Sequence, residues 1–321
     1  MRIYILKRLL YTIPTLIGTT ALIFVIMRII PGDPLGAYFG FEEMKRMTPA
    51  QKALALRDLG LDRPYIVQYG EWIRNILTGS LGESLFRGDS ILRTIGTRFP
   101  ITAEIGVLSL FIAWIIGLPV GILSALRPKS IWDNISSTTT VFFLAVPGFW
   151  LGMLTVVACL MLWRYKSPVT AVQIWEDPWE NFQIVIWPAV VMGIGQAAYI
   201  ARMARSSLFE VLREDYVRTA KAKGLRERLV VGRHALRNAL LPVITVSGLL
   251  LGYALEGSVA VEQAFTVPGL GRTLVHAATD RDYNVVQNIT LVYAAIFIVV
   301  NLLVDLFIAY WDPRITFVDH Y

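Results

Sequence analysis

Six blocks of apolar residues, each close to the length of a bilayer-spanning helix, constrain this chain more than any other feature. They fall at roughly 9–30, 101–125, 138–162, 184–203, 243–262 and 289–310. An α-helix needs about 20 such residues to cross ~30 Å of hydrocarbon. Within lipid, only helices and closed barrels satisfy their own backbone polar groups. The totals agree: 55% of the 321 residues are hydrophobic and 17% are charged, against about 25% charged in a typical soluble domain. The sequence therefore predicts an all-α membrane protein with six transmembrane helices and a small external helical subdomain.

Arg2, Lys7 and Arg8 precede the first block, as in a secretory signal. The block is too long for a signal core, and Pro31-Gly32-Asp33-Pro34 follows it where a small-residue cleavage site would stand, so it is read as an uncleaved first span. Cations set the orientation. The N-terminus and the connection at 126–137 (Arg127, Lys129) are basic, and the stretch from Arg202 to Arg237 holds eight Arg and two Lys against four acids. The third and fifth connections hold few cations (Arg164, Lys166; Arg272, Arg281), and the long 31–100 connection, of mixed charge, does not count because long loops translocate regardless of charge. Both termini and the 126–137 and 204–241 segments are thus predicted on the cytoplasmic side. The net charge of +6 is accounted for by these loops; no basic domain stands outside the apolar blocks, which argues against a nucleic-acid partner. Cys159 is the single cysteine and His234, His276 and His320 are far apart, so no metal-ligand spacing is present.

Four regions follow: a cytoplasmic tip with the first span (1–30), an external subdomain (31–100), a five-span core (101–310) containing the 204–241 segment, and a short cytoplasmic tail (311–321). In the subdomain, Thr48-Pro49 is a cap and first-turn signal for a helix over 49–59 that Gly60 stops. A second helix over about 64–77 carries Ile66, Tyr69, Trp72, Ile73 and Ile76 on one face, suited to the lipid surface or the outer span ends.

The 204–241 segment reads as helix, break, helix. Leu208, Val211, Leu212, Val217 and Ala220 make one stripe, and Gly224 ends it with a residue that accepts positive φ. A second helix is expected over 225–240, with Pro242 at the start of the fifth span. Ala220 and Ala222 are small enough to let a partner backbone approach, and flanking cations can pair with its carboxylates. A plain alternative is a basic loop on anionic headgroups, at about 1 kcal/mol per Lys or Arg. No catalytic chemistry is visible: there is no G-x-x-x-x-G-K-[ST], G-x-S-x-G or H-E-x-x-H pattern. Gly269-Leu270-Gly271-Arg272 is read as a tight external turn.

Taken in order, Pro31-Gly32-Asp33-Pro34, Leu59-Gly60-Leu61-Asp62-Arg63-Pro64, the run from Glu214 to Leu225, His234-Ala235-Leu236-Arg237-Asn238-Ala239-Leu240-Leu241-Pro242, Val267-Pro268-Gly269-Leu270-Gly271-Arg272, Asn301-Leu302-Leu303-Val304-Asp305 and Asp312-Pro313-Arg314-Ile315 make a pattern that resembles the inner-membrane permease subunits of binding-protein-dependent ABC importers. The likeness is to the B-type permeases of the peptide/nickel branch and runs nearly end to end. It implies the type I permease fold in a bacterial or archaeal inner membrane, and import of di- or oligopeptides. It also implies a second homologous permease, two ATP-binding subunits that use ATP and Mg, and an external substrate-binding protein. By resemblance, Glu214, Asp215, Tyr216, Arg218, Thr219, Ala220, Ala222, Lys223 and Gly224 form the coupling element seated in an ATPase groove. The broader family motif has Glu-Ala-Ala three residues before its glycine; here Arg218-Thr219-Ala220 keeps only the second alanine, and Leu241-Pro242 falls five residues late. The resemblance implies no cofactor in the chain itself.

Charged and amide side chains inside spans mark cavities or interhelical bonds. Glu256 has two readings: lining the conduit for a cationic amino group, or pairing with a cation such as Arg28. Asn301 and Asp305 share a face of the last span, for interhelical bonding first and lining of the path second. A carboxylate-relay reading of Glu256 and Asp305 leaves an ion-coupled transporter or channel as the alternative function. Pro147-Gly148 is expected to bend the third span.

Overall fold

The computed structural model describes residues 2–29, 34–58 and 60–311. In chain order its helices are α1 (Arg2–Ile29), α2 (Pro34–Phe39), α3 (Phe41–Arg46), α4 (Pro49–Asp58), α5 (Tyr65–Leu77), α6 (Ile91–Leu126), α7 (Ile131–Ala145), α8 (Gly148–Trp163), α9 (Pro178–Val211), α10 (Asp215–Ala222), α11 (Glu227–Leu229), α12 (Leu236–Phe265), α13 (Leu270–Thr279) and α14 (Tyr283–Trp311), with a π-helical turn over Val230–Ala235 between α11 and α12. Among the described residues the one β contact is an isolated antiparallel bridge between Glu83 and Ser90. Among the described residues five helical stretches are long and apolar enough to cross a membrane, and the α7–α8 pair makes a sixth if taken as one span.

In that pair the bend expected at Pro147-Gly148 takes the form of a sharp break. Its two arms meet at 97°. Val146 is extended (φ −77°, ψ 123°), the conformation a following proline imposes, and Pro147 caps the new helix rather than kinking an old one. The second span also differs: α6 starts at Ile91, ahead of the predicted 101, because Ser90 Oγ caps Arg93 N and Pro100 is accommodated within the helix. At the other break, no separate helix over 225–240 forms. The chain passes through the π turn straight into α12, and Pro242 lies inside that helix rather than at its start.

Glycines set how closely the helices approach. The α6–α9 seam is the most extensive among the described residues, and Gly117 and Gly121 lie on it. A Cβ on Gly117 would sit 2.7 Å from Ala197 O, and one on Gly121 2.5 Å from Ala201 O. Gly193 of α9 meets Ile112 in the same way, at 2.8 Å from its Cβ. Across α12 and α14, Gly252 would bring a Cβ to 2.7 Å from the Phe297 ring, and Gly248 is closed off by Val304. Helices in lipid associate through such packing rather than by expelling water, and four-residue glycine spacing is its usual instrument.

The short helices α4, α5 and α13 lie at one end of the bundle, and α10 and α11 at the other. Thr48 and Gln51 cap α4 reciprocally (Gln51 N to Thr48 Oγ1, 3.3 Å; Thr48 N to Gln51 Oε1, 2.8 Å), a capping box. Gly60 stops it at φ +66°. In α5 the predicted stripe divides. Tyr69 and Trp72 pack around Phe24 of α1, and Trp72 Nε1 donates to Asn288 of α14 (3.3 Å), while Ile66 is 81% exposed. Gln68 is buried and accepts from Arg28 Nη2 (2.8 Å).

At the opposite end, α6, α7 and α9 are tied by Asp133. Arg205 holds its carboxylate with both fork nitrogens (Nε–Oδ1 2.6 Å, Nη2–Oδ2 2.9 Å). Ser124 Oγ and Lys129 N also donate to it. The carboxylate is nearly fully buried, and every oxygen has a donor, which is what a buried charge requires.

Candidate functional site

Helix α10 is built to present one face and hide the other. Glu214 is its N-cap residue, with extended backbone and no side-chain cap bond. Asp215 lies in the first turn and Lys221 in the last, as the helix dipole prefers. Gly224 ends it at φ +76°, with its N–H on Lys221 O at 2.9 Å, as the sequence predicts. Val217 and Ala220, three apart, are buried against Val230, Val211 and Leu212. Ala220 therefore faces its own chain, correcting the expectation that it opens a way for a partner backbone; Ala222 remains on the exposed side.

The exposed face carries Asp215, Tyr216, Arg218, Thr219, Lys221, Ala222 and Lys223. Arg218 and Asp215 make a 3.3 Å pair, and Thr219 Oγ1 donates to Asp215 O (2.9 Å). Both contacts are local to the helix. Tyr216 differs: its hydroxyl accepts from Asn238 Nδ2 (2.8 Å) and donates to His234 O (3.4 Å). It thus fastens α10 to the π turn and the first turn of α12. The result is a short polar helix, anchored on a long apolar one, whose outer face no other part of the described chain covers.

The path residues expected within the spans are not assembled into one site. Glu256 lies on α12 and Asp305 on α14, but their side chains fall outside the described residues; Asn301 is half-buried on α14. Among the described residues no group of three or more His, Cys, Asp and Glu side chains could hold a metal ion.

The structure instead singles out Glu262, which is fully buried. Thr102 Oγ1 of α6 donates to its Oε1 (2.8 Å), and Arg272 N donates to Oε2 (3.0 Å). Thr102 Oγ1 in turn accepts from Leu270 N (2.9 Å). One carboxylate and one hydroxyl thus satisfy the free amides that open α13. Gly269 and Gly271 pack directly on the carboxylate, leaving no room for a Cβ. The Gly269–Arg272 stretch is the capped start of a helix, which corrects its reading as a tight turn. The rule that flags intramembrane acids pointed to Glu256; it applies equally to Glu262, six residues on. The signal was present, but its partners at 102 and 270–272 are distant in sequence. Asp133 and Arg205 were likewise missed, and only the fold brings them together.

Comparison with known proteins agrees with this architecture. Residues 117–317 match the family model for "Binding-protein-dependent transport system inner membrane component", and residues 1–106 match the N-terminal model of the same membrane components. The chain is 39% identical to the di/tripeptide transport system permease protein DppB of Pseudomonas aeruginosa (strain UCBPP-PA14), over 97% of this chain and 98% of that one. It is 38% identical to the oligopeptide transport system permease protein AppB of Bacillus subtilis (strain 168), covering 99% and 100%. It is 40% identical to the glutathione transport system permease protein GsiC of Pectobacterium atrosepticum, covering 98% and 99%. Among solved structures, an inward-facing form of the MetNI methionine ABC transporter aligns over 69% of this chain and 98% of that one, with a TM-score of 0.54 at 20% identity, a likeness of fold. With two family models that together take in nearly the whole sequence, and relatives matched end to end, the chain belongs to the inner membrane components of binding-protein-dependent transport systems, the permease subunits of ABC importers.

Proposed function

We propose that this chain forms one half of the membrane pathway of an ATP-driven importer of short peptides, with α10 as the element through which the motor acts. The full-length similarity to permeases named for dipeptides, oligopeptides and glutathione supports the cargo class. The observation that carries the coupling role is the bare polar face of α10 on a fixed apolar base. Glu214, Asp215, Tyr216, Arg218, Thr219, Ala222, Lys223 and Gly224 lie on or beside that face; Ala220 serves as base rather than contact. In this reading the protein is not itself an enzyme. A second homologous permease completes the conduit, and two ATPase subunits bind ATP and Mg. An external binding protein delivers the peptide to the end of the bundle that carries α4, α5 and α13. The inner membrane holds the complex with both termini and α10 on the cytoplasmic side, the 31–100 region outside, and 311–321 as a cytoplasmic tail. Closure of the ATPases draws the two α10 helices together and switches the bundle between two packings.

The test is co-purification of the ATPase subunits with the permease, followed by peptide uptake in proteoliposomes. Gly224→Pro removes the positive φ that ends α10 and is expected to abolish both. Retention of the ATPase on this variant, or uptake driven by an ion gradient without ATP, would refute the reading.

A further inference from the structure

At the end of the bundle opposite α10, a polar pocket of about 830 Å³ opens between the 84–98 segment and α13. Four arginines line it: Arg87, Arg93, Arg98 and Arg272. Two of them spend their hydrogen bonds on backbone carbonyls rather than carboxylates, Arg98 Nη1 on Pro268 O (3.1 Å) and Arg272 Nη1 on Thr266 O (2.5 Å). Arg98 lies within electrostatic reach of both Arg87 and Arg272. The acids nearby offset this only in part. Asp282 is buried, and its oxygens are taken by Ser84 Oγ, Phe86 N and Val285 N. Asp280, half-buried, stands 3.8 Å from exposed Arg87, a loose pair, and Asp89 is exposed at the rim.

Guanidiniums held together without matching carboxylates repel one another, and a planar fork recognises a carboxylate with two parallel bonds. The amides at the start of α13 do not serve as the anion site, because Glu262 already fills that position. The site is made by side chains, and its two exposed members, Arg87 and Arg93, stand at the rim where they can attract a charged surface before contact.

We infer that this arginine pocket receives acidic side chains of the external substrate-binding protein and fixes where that protein docks. The inference rests on the import reading above. A protein surface suits the pocket better than a free peptide, because cations on the rim and in the depth can engage several carboxylates presented together.

The test uses the complete transporter in lipid nanodiscs and reads ATPase activity against binding-protein concentration. Arg87→Glu with Arg93→Glu alters only exposed side chains. The half-saturating concentration is expected to rise roughly tenfold and its dependence on salt to flatten, while basal activity and the rate at saturating binding protein stay unchanged. Arg87→Lys with Arg93→Lys keeps the charge and is expected to restore most of the affinity. A half-saturating concentration within twofold of wild type for the double Glu variant overturns the inference. So does a defect that appears with free-carboxylate peptides and vanishes with C-terminally amidated ones, since the pocket would then bind cargo. A wild-type complex that the binding protein does not stimulate overturns the import reading, and this inference with it; a stimulated wild type with unaltered variants overturns this inference alone.

Discussion

Replacing Glu262 with alanine should loosen the start of α13 while leaving the spans folded. The carboxylate accepts from Thr102 Oγ1 and Arg272 N, and the substitution strands both donors in a fully buried place. A buried donor left without a partner costs about 1–3 kcal/mol. Thr102 has a fallback in Arg98 O at 3.5 Å, so its share falls at the low end. Arg272 N has no such substitute in its own helix, where first-turn amides lack partners. A total of about 2–4 kcal/mol follows. At 1.4 kcal/mol per factor of ten, even the lower bound reduces protection of the first α13 amides about 30-fold. Hydrogen–deuterium exchange read by mass spectrometry over peptides spanning 266–275 measures this directly, with the α6–α9 seam as internal reference. Glu262→Gln should fall between wild type and alanine, since one oxygen can still accept from Thr102 but the amide nitrogen meets the Arg272 donor. Protection in the alanine variant within threefold of wild type would show that the carboxylate is not what holds α13, and the reasoning would fail.

Three further outcomes are expected. Gly121→Leu should force α6 and α9 apart, because even a Cβ there would lie 2.5 Å from Ala201 O; the yield of monodisperse protein should collapse, whereas Gly195→Ala, with open space around it, should purify like wild type. Asp133→Asn breaks a two-pronged contact with a partly exposed Arg205, so a loss of roughly 1–3 kcal/mol is expected, read as a lower melting temperature in detergent and partly recovered when Arg205→Gln is added. Val217→Asp puts a charge beneath α10 and should release the ATPase during purification, while Lys221→Ala on the exposed face should weaken retention only a fewfold.

The parts of this fold legible in the sequence are those governed by local chemistry. Each membrane block announces itself by length and hydropathy, the Thr48 cap and the Gly60 and Gly224 stops are read from residue type alone, and Val217 and Ala220 mark the buried stripe by spacing. What the sequence hides depends on partners far along the chain. Pro147-Gly148 signals a break, but not its 97° angle or that α8 packs on α9 and α12 beyond it. Ala220 looks like a contact for another protein until the π turn supplies Val230 beneath it. The paired glycines at 117 and 121, and at 248 and 252, acquire meaning only beside Ala197, Ala201, Phe297 and Val304. Glu262 reads as one more acid in an apolar helix until Thr102 and Arg272 stand around it.

Because no loop interrupts the passage from the π turn into α12, that helix is a single strut of 30 residues, about 45 Å long at ~1.5 Å per residue. Asn238, which grips Tyr216, is near one tip; Glu262, which grips α13, is near the other. A tilt imposed at the first tip therefore swings the second the opposite way and carries the Arg272 backbone along. If α10 is the coupling element proposed above, motion imposed there would reach the arginine-lined mouth through a rod that crosses α14 at Gly248 and Gly252.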